Sequence, residues 1–480
     1  MSPIFAGCFR ILFASAGAKR PIVGARLRAR PRFSLLVFLS YPASRSNRGM
    51  ASSNREMTNH ADKSRMSLPF PGEQLLMTEP RPLTVLCIAS FHKGEEFLRE
   101  CKRQGCRVLL FTSQSIANED WPHESLDEIF LIPDINHKWN IDDVIKGASY
   151  VARKEAIDLI VPLDDFDLEK AAALREHLRV PGMGETTTHY FRDKLAMRMR
   201  AKEHGIQVPE FVHVLNHESV NDYMSHTSPP WLIKPRFEAS STGITKLIGP
   251  DQFWRALEQL GDKQSFHLLE QYIPGDIYHV DSIVSERDVA FAIASRYGIP
   301  PLDVTHRGGV FTTSTLLRGS ADEVALLALN LTVLGAMGIV RGVSHTEFIK
   351  SHTDGRFYFL ETAARVAGAN IAELVEAACG VNLWREWARI EIARGEQPYE
   401  LPPYREDYAG LIVSLARQEY PDTSAYNDAE IVWRMNKRAH AGLIVMSPDS
   451  SRVENLLNEY SQRFYRDFFA SQATHEHAAD

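Results

Sequence analysis

The sequence predicts a mixed architecture, an α/β unit built on a parallel sheet followed by α+β units, and three observations carry that prediction. From Arg81 onward, short apolar runs alternate with helical stretches in βαβ rhythm. Beyond about residue 205 the rhythm gives way to β-rich segments separated by turns, with occasional helices. The length of 480 residues exceeds what one hydrophobic core organises, so two to four units sharing interfaces are expected.

The first unit is expected over residues 80–185. Strands over Thr84 to Ala89, Val108 to Thr112, Glu128 to Ile132 and Leu159 to Leu163 are nearly continuous apolar runs, as a parallel sheet covered on both faces requires. Helices over Glu95 to Gln104, Ile141 to Lys154 and Leu168 to His177 separate and follow them. The first strand runs into Ala-Ser-Phe-His-Lys-Gly and lacks the GxGxxG pattern, so a dinucleotide fingerprint is absent, although that loop still lies where open sheets hold ligands. Thr186 to Thr188 offer N-caps for a helix running to about Glu203 and closed by Gly205. Strands are expected at Trp231 to Ile233, Lys246 to Ile248, His267 to Leu269 and His279 to Val284, with a helix at Phe253 to Leu260. A long apolar helix over Ala321 to Met337 precedes a hairpin, Val343 to Ile349 and Phe357 to Leu360, turning at Thr353-Asp354-Gly355. Asn370 to Ala378 reads as a helix. The Pro-rich joint Gln397 to Tyr404 then introduces a final unit over 399–480, with strands at Gly410 to Ser414 and Gly442 to Met446 and a helix at Ser451 to Phe464.

Composition bounds the function. Hydrophobic residues make up 44% and charged residues 24%, and no apolar run approaches a membrane span, so no membrane partner is expected. Five scattered cysteines, without a CxxC or a metal-type His cluster, fit a reducing compartment and a cytoplasmic location. Ten basic residues and no acidic one precede Glu56, so the remainder carries −17 against −7 for the whole chain. That acidic body offers no field to attract nucleic acid. Residues 1–55 have the acid-free, Arg- and Ser-containing look of an organelle-targeting segment. Met50, Met57, Met66 and Met77 equally suit a later start, and residues 1–79 are set aside from the fold.

The chemistry concentrates in three places. In Trp231 to Ile244 an apolar strand delivers Lys234 and leads into a small-residue loop, Ser240, Ser241, Thr242 and Gly243, whose amides suit phosphate oxygens. In Glu270 to Asp281 a strand meets a Pro-Gly turn, and such a hinge exposes backbone groups that can read a base edge. Glu347 in His-Thr-Glu-Phe and Glu361 in Phe-Leu-Glu-Thr fall across the hairpin, where two carboxylates on one side call for a divalent cation. Arg365 adds a rigid cation suited to a phosphoryl group or a carboxylate. His306 and Arg307 in a Gly-rich stretch are divided evenly between a substrate contact and a plain loop, and Asp164 and Asp165 are expected to cap the following helix.

In this order the elements resemble the ATP-grasp superfamily, over roughly Thr84 to Gly380. Lys194 in Phe-Arg-Asp-Lys-Leu stands at the family's first ATP lysine, followed by Gly205-Ile-Gln-Val-Pro209, and Lys234 stands at the second. The resemblance implies that Ser240, Ser241 and Gly243 form the phosphate loop and that Glu270, Gln271 and Ile273 lie on the adenine hinge. It further implies Mg²⁺ or Mn²⁺ at Glu347 and Glu361, and Arg365 on the transferred phosphate. A Rossmann-like unit, a lid lobe over 186–275 and a larger metal-bearing lobe over 276–398 follow as the expected partition. The His-Thr-Glu-Phe and Glu-Thr-Ala-Ala-Arg versions look most like the amino-acid ligase and dipeptide synthase branch, which is related to carnosine synthase and biotin carboxylase. Three departures stand out: Ala363 replaces an expected Asn, leaving water or Asn370 to complete a metal shell; Ile277 replaces a ribose-binding glutamate, with Asp276 as the neighbouring substitute; and the phosphate loop keeps one glycine.

The implied activity is an ATP-dependent, ADP-forming carboxylate-amine ligase that passes through an acyl phosphate. Its partners are a small-molecule carboxylate and amine, with a homodimer as a candidate assembly. Its rivals are a ligase acting on another carboxylate or nucleophile and a nucleotide-binding regulatory protein that lost turnover. A dehydrogenase lacks its glycine fingerprint.

Overall fold

The computed structural model describes residues 81–239, 241–300, 302 and 309–470, all within one compact unit. The first sheet has β1 (Thr84–Ala89), β2 (Arg107–Ser113), β3 (Glu128–Ile132) and β4 (Leu159–Pro162) in the order β3-β2-β1-β4, every pair parallel. The apolar runs are continuous because both faces are covered. Val85, Cys87 and Ala89 pack with Phe97 and Leu98 of α1 (Glu95–Arg103), while Leu86 and Ile88 pack with Val144 and Ala148 of α2 (Ile141–Val151). Asn140 starts α2 by accepting the amides of Asp142 and Asp143. The unit closes with α3 (Leu168–Leu178).

Residues 185–203 form two helices rather than the one expected: α4 (Glu185–His189) and α5 (Lys194–Glu203), with Asp193 capping the second through the Leu195 amide. The chain stops and restarts so that Lys194 heads a helix.

A small antiparallel sheet follows, with β5 (Phe211–His213), β6 (Trp231–Pro235), β7 (Thr245–Leu247) and β8 (His267–Gln271) ordered β5-β8-β6-β7. Helices α6 (His217–His226) and α7 (Pro250–Leu260) cover one face, where Val220, Tyr223, Phe253 and Leu257 bury Trp231, Ile233 and Leu269. The other face opens on a cleft.

Eight antiparallel strands make the large sheet: β9 (Gly275–Ser285), β10 (Asp288–Tyr297), β11 (Phe311–Thr315), β12 (Gly342–Ser351), β13 (Phe357–Ala363), β14 (Tyr408–Leu415), β15 (Ile431–Arg434) and β16 (His440–Ser447), in the order β13-β12-β9-β10-β11-β14-β16-β15. One side packs on α5 and α8 (Ala321–Met337), where Met197, Ala201 and Ile206 meet Val280, Val284 and Leu334. Helix α5 therefore belongs by packing with the large sheet, not with the lid expected to start at 186. The other side packs on α9 (Ile371–Cys379) and α10 (Leu383–Ala393), and α10 also carries the first unit through Arg385–Glu96 and Arg389–Glu100, both at 2.8 Å.

The stretch expected to begin a separate unit at 399 continues the large sheet instead, because β14 pairs with β11 from Phe311↔Val413 onward. Helix α11 (Ser450–Asp467) lies against β14 so closely that a Cβ at Gly410 would stand 2.6 Å from Leu457. Among the described residues no helix is long and apolar enough to cross a membrane. The four described cysteines are buried and unbridged, and burial pushes the thiols of Cys106 and Cys379 up to about 11.

Candidate active site

A cleft of about 250 Å³ lies between the small sheet and strands β9, β12 and β13. Strand alternation sends Leu232 and Lys234 of β6 and Glu270 of β8 into it, while their neighbours stay in the lid core. From below come Ile277 of β9, Glu347 and Ile349 of β12 and Glu361 of β13. One end is apolar, walled by Leu232, Ile244, Tyr272, Ile273, Ile277 and Ile349. The other is charged. A flat heteroaromatic ring suits the first end and phosphates suit the second.

The charged end is built from ion pairs reaching across the cleft. Lys194, first residue of α5, reaches Glu361 at 2.8 Å and donates to the Glu238 carbonyl at 2.6 Å, tying the lid loop to the large sheet. Its own amide donates to the Arg236 carbonyl, and Arg236 in turn pairs with Asp193 through Nε at 2.9 Å. Lys234 meets Oε1 of Glu270, whose Oε2 accepts from Nε of Arg198 at 2.6 Å. Burial alone drives the Glu270 carboxyl up, yet Arg198 and Lys234 more than offset it and hold it below the ordinary range. Glu270 thus acts through its side chain, beyond the hinge role expected of it.

The metal-type carboxylates meet as the hairpin predicted: Glu347 and Glu361 are register partners on β12 and β13. Tyr297 donates to Glu347 at 3.0 Å, and His345 stands 3.5 Å away. Behind them runs a buried chain. His345 Nδ1 and His279 Nδ1 both face Asp281, at 2.9 and 2.7 Å, and His279 Nε2 meets Thr313 at 2.8 Å. Burial opposes protonation of His345, but Asp281 overrides it and lifts the imidazole to about 9. Burial also pushes Glu347 up, and the hydrogen bond from His345 brings it below its usual value. The ligand atoms of His279, Asp281 and His345 lie within 4.8 Å of one another, but their direct hydrogen bonds make them a support for Glu347. Neither this chain of hydrogen bonds nor Arg198 stands out in the sequence. The only signals were polar residues at period two in buried strands, His279-Val-Asp281 and His345-Thr-Glu347, and Arg198 one helical turn after Lys194.

Several expected contacts need correction. Asp276 leaves β9 on the face opposite Ile277, toward Arg296 at 3.4 Å and His352 at 3.5 Å, so it does not reach the cleft. Arg365 does not line the cleft; it binds Asp165 at 2.8 Å and the Val366 carbonyl at 3.0 Å. Asp165 was expected as a helix cap, a task that Asp164 performs through the Phe166 amide. Burial raises the Asp165 carboxyl, and Arg365 and Arg192 bring it back below its ordinary range. Along the hinge the Gln271 and Tyr272 amides are spent on the carbonyls of Glu210 and Pro230. That leaves the Ile273 amide as the one of the three with no acceptor among the described residues. In the loop expected to bind phosphate, Ser241 and Thr242 line the cleft, but the Thr242 amide donates to the Ala239 carbonyl. Gly243 has φ +71°, and a Cβ there would stand 2.8 Å from Pro235. Ser240, His306 and Arg307 lie outside the described residues.

No family model matches the chain. It is 24% identical over 245 residues to the L-arginine-specific L-amino acid ligase of Bacillus subtilis, covering 49% of this chain and 58% of the relative. To the D-alanine–D-alanine ligase of Cupriavidus metallidurans it is 27% identical over 222 residues, covering 44% and 66%. The chain therefore spans less than two thirds of either relative. The crystal structure of an L-amino acid ligase from Bacillus licheniformis superposes with a TM-score of 0.64 at 16% identity, over 82% of this chain and all of that one. The chain has the ATP-grasp fold. Lys194, Lys234, Glu347 and Glu361 line the cleft between the small sheet and the large one.

Proposed function

We propose that the protein is an ATP-dependent ligase that phosphorylates a small carboxylate and joins the acyl group to the amine of an amino acid, releasing ADP and phosphate. The observation that carries this reading is the Lys194–Glu361 pair, in which a cation and a carboxylate from separate elements meet at the charged end of a cleft whose other end is apolar. The likeness to amino-acid ligases supports the same class.

Each side chain has a task in the reaction. The apolar end and the Ile273 amide receive the adenine ring, and Lys234 and Lys194 reach the phosphates. Glu347 and Glu361, opposed in register, offer the hard oxygen donors that Mg²⁺ prefers, and Tyr297 and His345 fix the first of them. When bound, the ion offsets phosphate charge. A substrate carboxylate oxygen attacks the γ-phosphorus in line, ADP leaves, and an acyl phosphate remains. A neutral amine then attacks the acyl carbon, giving up one proton as phosphate departs. The Lys194–Glu238 contact holds the lid loop down and excludes water from the acyl phosphate. Asp165 and Arg365 pair outside the nucleotide cleft, where the first unit meets the large sheet, and substrate binding is assigned to that junction.

The test is Glu361→Gln. It should abolish MgATP turnover while circular dichroism and thermal melting stay near wild type; turnover close to wild type would remove Glu361 from the metal site.

A further inference from the structure

Three charged groups share the cleft's buried corner, and two of them, Arg198 and Glu270, have no role in the mechanism above. Arg198 and Glu270 each have side chains only 1% exposed, and Lys234 is nearly as buried. Arg198 lies one turn after Lys194 on α5, so both face the cleft. Its Nε donates to Oε2 of Glu270 at 2.6 Å and its Nη1 donates to the Leu360 carbonyl, next to Glu361. Lys234 takes the other oxygen of Glu270.

Two cations therefore divide one carboxylate. If Arg198 were removed, both oxygens of Glu270 would fall to Lys234, and a neutral pair would replace a corner of net charge +1. Arg198 also joins β8 of the lid to β13 of the large sheet, so it fixes the spacing across which Lys234 must act.

We propose that Arg198 is a positioning residue for phosphate binding: by holding Glu270 at Oε2 it leaves Lys234 with uncompensated positive charge directed into the cleft. This rests on the reading of the cleft as a nucleoside triphosphate site. Arg198 itself need not touch the nucleotide.

The experiment measures MgATP and adenosine binding by calorimetry to the full chain and its Arg198→Met, Arg198→Lys, Glu270→Gln and Arg198→Met/Glu270→Gln variants, each checked for folding by circular dichroism. Arg198→Met should weaken MgATP by about tenfold or more and leave adenosine within about twofold, because only the phosphates feel Lys234. In the Glu270→Gln background the same change should cost MgATP less than about threefold, since no carboxylate remains to neutralise Lys234. Arg198→Lys should recover part of the loss, and Arg198→Gln replaces Arg198→Met if the latter fails to fold.

Parallel weakening of MgATP and adenosine, or an equal loss with and without Glu270, would reduce Arg198 to a packing residue and overturn the proposal. Normal MgATP binding by folded Arg198→Met overturns this proposal alone. Failure of the wild-type chain to bind MgATP overturns it together with the nucleotide reading of the cleft.

Discussion

Raising the pH should remove a defined part of this protein's stability through one side chain, His345. Its imidazole has side-chain exposure of only 10%, faces Asp281 at 2.9 Å, and is lifted to about 9 from an ordinary 6.5. A group whose pKa is higher in the folded state stabilises fully below the unfolded value and loses that contribution as pH rises through the folded one. The window therefore runs from pH 6.5 to 9. At 1.36 kcal/mol per unit, the contribution lost across it is on the order of 3 kcal/mol. Equilibrium urea unfolding of wild type and His345→Gln, without nucleotide, isolates the effect, because other titrating groups, including the buried thiols, are common to both. The stability difference between the two proteins should shrink by about 3 kcal/mol between pH 6.5 and 9. A difference that stays flat would show that Asp281 does not hold a proton on His345, and would leave Glu347 without the cation that fixes it.

Two further perturbations probe the cleft walls. Gly243→Ala imposes a left-handed conformation on an L-residue and a 2.8 Å contact with Pro235, so it should cost roughly 1–2 kcal/mol in thermal unfolding and raise the KM for ATP; an unchanged KM would remove the loop from phosphate binding. Asp165→Ala leaves the Arg365 guanidinium without its 2.8 Å partner where the first unit meets the large sheet, which should cost about 3–5 kcal/mol and lower turnover more than ATP affinity. Equal loss of both would tie Asp165 to the nucleotide instead of the substrates.

Much of this was legible in the sequence because it depended on local patterns. The strand Thr84–Ala89 and the helix Ala321–Met337 coincide with their apolar runs, and the turn at Thr353 to Gly355 sufficed to oppose Glu347 and Glu361. What escaped depends on partners distant along the chain. Arg198 meets Glu270 72 residues later and Leu360 162 residues later, and nothing near Arg198 announces either. The allegiance of α5 to the large sheet follows from Met197 and Ala201 finding Val280 and Leu334, a choice periodicity cannot make. The last strands join the large sheet because β11 presents a free edge, a fact of tertiary pairing that the Pro-rich joint at 397–404 obscured. Asp276 is the instructive error. A one-residue offset along a strand reverses the face, so identity near a motif position does not carry the side chain into the site.

The central claim is that this cleft uses ATP to activate a carboxylate, and the most direct measurement is ADP and phosphate release from MgATP by the full chain in the presence of pooled amino acids. Release that requires both MgATP and an amino-acid pool, yields a condensed product by mass spectrometry, and disappears in Glu361→Gln is the predicted result. Tight MgATP binding with no release from any pool of carboxylates and amines would contradict ligase activity and leave a nucleotide-binding protein, while absence of binding would contradict the assignment of the cleft itself.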